Sequence, residues 1–141
     1  MDLLTWHKTN PVPTCNNKYL SDTEYCLFFR QKGVKLYGSY DTKRKWYVTS
    51  LNVQDKEKYN HPTIKPLNII KNLIGNSAVA DDPEGIPLVM DPFMGSGTTA
   101  VACKMLGLNY TGFEINSEYY ENSLRRLSGT VSKGLDSWGL E

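Results

Sequence analysis

Charge of one sign is the first thing this sequence has little of. Sixteen lysine and arginine residues stand against fifteen aspartate and glutamate residues in 141, a formal net charge of +1. The total therefore argues for neither a polyanion-coating protein nor an acidic tail, and any nucleic-acid contact has to be local. Cysteine is scarce as well. Cys15, Cys26 and Cys103 are odd in number and have neither CxxC spacing nor a neighbouring His pair, so neither a disulfide framework nor a zinc or other metal site is indicated. They read as reduced thiols, with Cys26 and Cys103 expected on core-facing elements. His7 and His61 stand alone and are read as structural rather than proton-transferring. No apolar run approaches a membrane span and the first residues lack a signal-peptide pattern, which makes the cytoplasm the expected location. There is no internal repeat. What is present is 40% hydrophobic residues, material for one core of ordinary size.

The informative stretch is Met90 to Ala100, Met-Asp-Pro-Phe-Met-Gly-Ser-Gly-Thr-Thr-Ala. Ile86 to Met90 predict a short buried strand with Pro87 at its start, Asp91 to Gly97 a turn, and Thr98 to Leu106 a helix ended by Gly107. Glycines let backbone approach a ligand closely, and the free N–H groups and positive dipole end of the helix face it. Gly-x-Gly alone is a common β-turn-α connection, so the context decides. A second strand, Asn109 to Phe113, ends in Glu114, where a dinucleotide-type fold places the acid that receives ribose hydroxyls. A helix from Ser117 to Leu127 follows.

Upstream, His61-Pro62-Thr63-Ile64-Lys65-Pro66 precedes this turn, and Gly112-Phe113-Glu114-Ile115 with the paired Tyr119 and Tyr120 follows it. In that order these segments resemble the beta group of DNA amino-methyltransferases, enzymes that methylate adenine N6 or cytosine N4 with S-adenosylmethionine. Trp6-His7-Lys8-Thr9-Asn10-Pro11-Val12-Pro13 is similar to the family's W-x-K-x-N-x-x-P segment, and Glu24 to Phe29 resembles the strand after it, so the likeness covers most of Asp2 to Leu127. The resemblance implies an α/β, Rossmann-like methyltransferase fold, S-adenosylmethionine as cofactor and double-stranded DNA as substrate. It also implies roles. Thr63 and Lys65 would sit near the cofactor carboxylate, and Asp91, Phe93, Gly95 and Gly97 would line the centre. The N–H groups of Ser96 to Thr98 would point inward, Glu114 would take the ribose, and Phe93 or Ile115 would pack on adenine. On the DNA side it offers Lys8 and Asn10. Lys43, Arg44 and Lys45 belong to a basic stretch, with Lys32 and Lys35, that is interleaved with Tyr37, Tyr40, Trp46 and Tyr47. That stretch suits phosphate contact or base stacking, and equally a solvated hairpin.

The family's catalytic tetrapeptide, Asp, Asn or Ser followed by Pro-Pro and an aromatic residue, occurs nowhere in the sequence. Its side-chain oxygen and proline carbonyl hold the exocyclic amine of a flipped base in line with the sulfonium methyl. Asn10-Pro11-Val12-Pro13 is the nearest approach, and Asn10 the one candidate catalytic residue. The fold is accordingly expected to be incomplete, lacking the family's central strands, with residues 1–129 a partial methyltransferase domain. Within it, 1–60 would carry the target-side strands and hairpin and 61–129 the cofactor half, followed by a flexible tail over 130–141. The elements expected before the turn are strands Leu3 to Lys8 and Tyr25 to Gln31, a hairpin over Lys35 to Ser50, a polar linker from Val53 to Asn60, and a helix from Leu67 to Ile74 stopped by Gly75. The leading expectation is the C-terminal part of a truncated or split enzyme, with a second chain supplying the missing segment or a homodimer covering the open edge. The alternative is a non-catalytic module that binds S-adenosylmethionine or DNA. An unrelated nucleotide-binding oxidoreductase is disfavoured by the His61 to Pro66 segment and by the absence of the usual third glycine. No residue names the target base.

Overall fold

The computed structural model describes residues 1–13, 16–51, 53–59 and 63–131. His61, Pro62 and Cys15 lie outside the described residues, as does 132–141, most of the expected tail.

Strand β1 (Asp2–Lys8) lies at the centre of a three-stranded sheet, antiparallel to β2 (Thr23–Phe28) and parallel to β3 (Trp46–Thr49). Its side chains alternate as a strand with one covered face must. Leu4 and Trp6 are buried, while Leu3 and His7 are exposed. Trp6 satisfies its indole N–H by donating to Thr49 Oγ1 at 2.8 Å. Helix α2 (Leu67–Ser77) covers the buried face, with Ile69 meeting Leu4 and Trp6 around an apolar cavity of about 150 Å³. The other side of α2 packs on α3 (Thr98–Leu106), whose Ala100, Val101, Ala102 and Cys103 form the centre of the core. Burial pushes the Cys103 thiol up to about 11, with the nearby Asp91 charge adding to it, so it packs as a small neutral side chain.

Helix α3 is the crossover of a βαβ unit. Strands β4 (Leu88–Asp91) and β5 (Asn109–Gly112) run parallel, with Leu88 opposite Asn109 and Asp91 opposite Gly112. The strand begins after Pro87, which has no N–H for a ladder. Gly107 ends α3 in the left-handed conformation (φ 72), its N–H returning to the Cys103 and Lys104 carbonyls. Helix α4 (Ser117–Ser128) closes the unit, capped by Asn116, whose side-chain oxygen accepts from the Tyr119 N–H at 3.2 Å.

Five expectations are corrected. The Ile86 to Met90 strand is not buried: Leu88 and Met90 are each 65% exposed, because nothing among the described residues covers that face of β4. The segment before β3 is no hairpin arm: the Tyr37 N–H donates to the Asn76 carbonyl at 2.7 Å and its hydroxyl to Asp82 Oδ2 at 2.6 Å. These bonds draw it onto α2 and the loop that follows, and β3 pairs with β1 instead. The polar stretch after Ser50 holds a helix, α1 (Val53–Lys58), with Lys56 and Lys58 in its last turn, where cations suit the dipole. Gly75 does not stop α2, because that bond from Tyr37 and the donation of Asn76 Nδ2 to the Thr42 carbonyl at 2.7 Å hold one more turn. Cys26 is exposed, since β2 is an edge strand.

The chain is thus mixed α/β, and its Rossmann-like fold is incomplete. Among the described residues no ladder joins the two sheets, and β4 has a partner on one side only. None of the described helices is long and apolar enough to cross a membrane.

Candidate functional site

The turn between β4 and α3 is held from three directions. Asp91 Oδ1 accepts from the Phe93 N–H at 3.0 Å, closing the start of the turn on itself. From just past β5, Glu114 Oε2 accepts from the Gly95 N–H at 2.7 Å, while its Oε1 accepts from the Asn116 N–H at 2.8 Å. From α4, Arg126 Nη1 donates to Thr98 Oγ1 at 2.8 Å and lies 3.3 Å from the Ser96 carbonyl. Gly97 has φ 78 and stands so close to α4 that a Cβ would lie 2.8 Å from Ser123 Cβ. No side chain with a Cβ fits there without a shift.

Six of the expected cofactor residues therefore meet in one cluster: Asp91, Gly95, Ser96, Gly97, Thr98 and Glu114. Not every N–H of Ser96 to Thr98 is left to point inward as expected, since Gly97 donates to the Met94 carbonyl at 2.9 Å. Phe93 is no core plug. It is 88% exposed beside the turn, and Ile115 is fully exposed past Glu114. After its two backbone bonds Glu114 keeps about half of its roughly four lone-pair positions for further donors. Helix α3 starts without a side-chain cap, and two apolar side chains flank the polar centre.

Thr63 and Lys65 fall elsewhere. They line a cavity of about 220 Å³ with Trp6, Lys8, Glu24 and Leu51, and the turn residues are not among its walls. Glu24 joins two lysines there, 3.0 Å from Lys8 Nζ and 2.6 Å from Lys65 Nζ. Burial tends to raise the Glu24 carboxyl, but the bonds from Lys65 and Lys8 outweigh it and hold the group below the ordinary value. Lys8 also lies over the Trp6 ring, 5.4 Å from its centroid. Asn10 gives its side-chain oxygen to the Leu51 N–H at 2.5 Å, which ties the end of β1 to the end of β3. Before β3, Arg44 pairs with Asp41 at 2.8 Å and stacks 5.7 Å over Trp46, and Lys45 pairs with Asp2. Lys43 lies in the same loop and lines a groove with Arg44 and Lys45.

A profile of the DNA methylase family for N6 and N4 methylation matches residues 1–125. The chain belongs to the DNA methylase family. The Type II methyltransferase M2.MboI of Moraxella bovis is 33% identical over 138 residues, covering 89% of this chain and 49% of that protein. The DNA adenine methyltransferase YhdJ of Escherichia coli K12 is 44% identical over 71 residues, 50% of this chain and 22% of YhdJ. Among solved structures, the M1.HpyAVI–SAM complex superposes with a TM-score of 0.68 at 30% identity, covering 90% of this chain and 61% of that one. The chain spans about half the length of the curated relatives it matches over most of its own.

Arg126 and Asn122 were not singled out by sequence reasoning. Their spacing puts Asn122, Ser123 and Arg126 on one side of α4, but only the fold buries that side, while Tyr120 and Leu124 on the same helix are close to half exposed.

Proposed function

We propose that this chain is the cofactor-binding part of a DNA methyltransferase that uses S-adenosylmethionine to methylate adenine N6 or cytosine N4 in double-stranded DNA, of the kind found in restriction-modification systems. The observation that carries the reading is the closure of the Asp91 to Thr98 turn on Glu114 through the Gly95 N–H at 2.7 Å. When bound, the cofactor supplies an electrophilic methyl on a sulfonium. Glu114 takes the ribose hydroxyls, the turn and the start of α3 receive the polar centre, and Phe93 or Ile115 covers adenine. Lys65, with Thr63, serves the carboxylate end, and reaching the turn from the Trp6–Lys8 cavity requires Lys65 to exchange Glu24 for the ligand. Lys8, Asn10 and Lys43 to Lys45 make the DNA side of the reading.

Positioning of the target amine falls to residues beyond these 141, because no Pro-Pro-aromatic tetrapeptide occurs among them and Asn10 is committed to Leu51. They would arrive on a segment or second chain seated against β4. That same absence favours a second reading, a non-catalytic module that binds S-adenosylmethionine or DNA.

Calorimetry tests the cofactor claim. The wild-type chain is expected to bind S-adenosylmethionine or its demethylated product. Glu114→Ala should weaken binding by roughly 1.5–3 kcal/mol through loss of charge-assisted hydrogen bonds. Glu114→Gln, which keeps one carbonyl oxygen for the turn, should remain folded and still bind more weakly. A folded wild-type chain that shows neither heat nor thermal shift at millimolar cofactor would sink the proposal.

A further inference from the structure

The most deeply buried residues of helix α4 are polar. A helix over an apolar core buries an apolar stripe, whereas α4 buries Asn122, Ser123 and Arg126 at 5% exposure or less, with Tyr119 and Leu127 partly covered beside them, and leaves Tyr120 and Leu124 at 46% and 47%. What lies beneath it explains the polar stripe. Arg126 Nη1 reaches the Thr98 hydroxyl at 2.8 Å, the Ser96 carbonyl at 3.3 Å and the Ser96 hydroxyl at 3.4 Å, all on the glycine turn. The same guanidinium lies 5.3 Å over the ring of Tyr59. One turn earlier, Asn122 Nδ2 donates to the Tyr59 carbonyl at 2.8 Å. A single polar face thus grips both the turn and the residue that leads toward the His61 to Lys65 segment.

Arginine suits this place for a physical reason. Its rigid planar fork donates in several directions while its flat face rests on an aromatic ring, and a lysine ammonium cannot do both from one position. The turn gains from a clamp, because Gly97 at φ 78 has no side chain to limit its conformations, and glycine loses more backbone freedom on ordering than any other residue. We infer that Arg126 is a positioning residue for the cofactor: it fixes Ser96 to Thr98 in the ligand-ready conformation, in register with Tyr59, and so sets the affinity of the turn for S-adenosylmethionine. The inference rests on the cofactor reading given above. Its energetic basis is preorganisation, since a turn already held in place loses less freedom on binding.

The test compares the 141-residue wild-type chain with Arg126→Lys, Thr98→Val and their combination. Hydrogen exchange at Ser96 to Thr98 is read against exchange at Leu4 and Trp6 in β1, and calorimetry reads S-adenosylmethionine affinity. Arg126→Lys is expected to speed exchange in the turn about tenfold while β1 is unchanged, and to weaken cofactor binding about tenfold. Thr98→Val, which removes the shortest contact of Arg126 in the turn, should weaken binding in the same direction, and the combined variant should bind no worse than Arg126→Lys alone. Unchanged exchange and affinity in Arg126→Lys would overturn the inference. So would a loss of affinity that comes with an equal loss of protection in β1, since that marks a general stability role. If Arg126→Lys fails to fold, a folded Thr98→Val that binds as wild type overturns it. A wild-type chain without binding heat marks failure of the cofactor reading instead, and turn exchange then decides separately whether Arg126 holds Ser96 to Thr98.

Discussion

Glu24 shows how much one carboxylate connects. It stands on β2, yet it binds Lys8 of β1 and Lys65 of the segment before α2, so three stretches far apart in sequence meet on two oxygens. Burial works against its charge, and the two ammonium partners prevail, which leaves the folded pKa below the usual 4.5. A depressed carboxylate contributes stability above its unfolded pKa, and that contribution is lost as pH falls through the lower folded value. Thermal melts of wild type and Glu24→Gln should therefore differ most near neutral pH and converge in acid, the gap closing from about pH 4.5 downward. Side-chain exposure of 36% keeps the effect modest through solvent screening. A gap that persists undiminished to the acid limit would show that the ion pairs do not carry the difference. Nothing in the sequence around Glu24 announced this link, because the pairing of Lys8 with Lys65 through a third residue exists only after the sheet has formed. Asn10 is the same kind of case. Its place in the Trp6 to Pro13 segment offered a catalytic candidate, and the fold gives its oxygen to Leu51.

The elements divide by how local their signals are. The β4–α3–β5 unit was legible almost to the residue, since Pro87, the two glycines of the turn and Gly107 each punctuate the chain through their own backbone limits. Helix α4 was legible in extent and not in orientation, because its most buried residues, Asn122, Ser123 and Arg126, are polar. The partner of strand β3, and helix α1 altogether, escaped because residues distant in sequence decide them. β3 exists through β1, and Tyr59 at the end of α1 is anchored by Asn122 at a separation of 63 residues. The junction between turn and α4 yields a prediction at this scale. In Gly97→Ala, left-handed backbone costs about 1–2 kcal/mol by itself, and the new Cβ would lie 2.8 Å from Ser123 Cβ and 3.3 Å from Ser123 Cα. A total loss of roughly 2–4 kcal/mol in urea unfolding is expected, within the range of strain and overpacking effects. Combining it with Ser123→Gly should recover only the steric part, leaving the left-handed penalty. A Gly97→Ala chain as stable as wild type would mean that the turn does not lean on α4.

At the scale of the whole molecule, apolar side chains are distributed as though more structure were to cover them. Leu88 and Met90 on β4 are each 65% exposed, and Leu3, Leu27 and Tyr25 stand open on the other sheet. Two sheets share one set of helices without a ladder between them, and β4 offers one edge with no strand beside it among the described residues. β4 pairs with β5 on one side, and no strand among the described residues lies on the other. An exposed apolar edge of this kind recruits strands. The 141-residue chain alone is therefore expected to dimerise or aggregate in light scattering, with fast hydrogen exchange at the β4 amides that its open edge presents. Adding a polypeptide that carries a DNA methylase Asp-Pro-Pro-aromatic segment with its strand should restore dispersity, protect those amides, and yield methyl transfer to duplex DNA that neither piece gives alone. Dispersity and protection without transfer would leave the pairing of β4 standing while removing the complementation of activity. A stable monomer already protected to the global limit at Leu88 to Met90 would refute the open edge itself, and would favour a self-sufficient binding module over an incomplete enzyme.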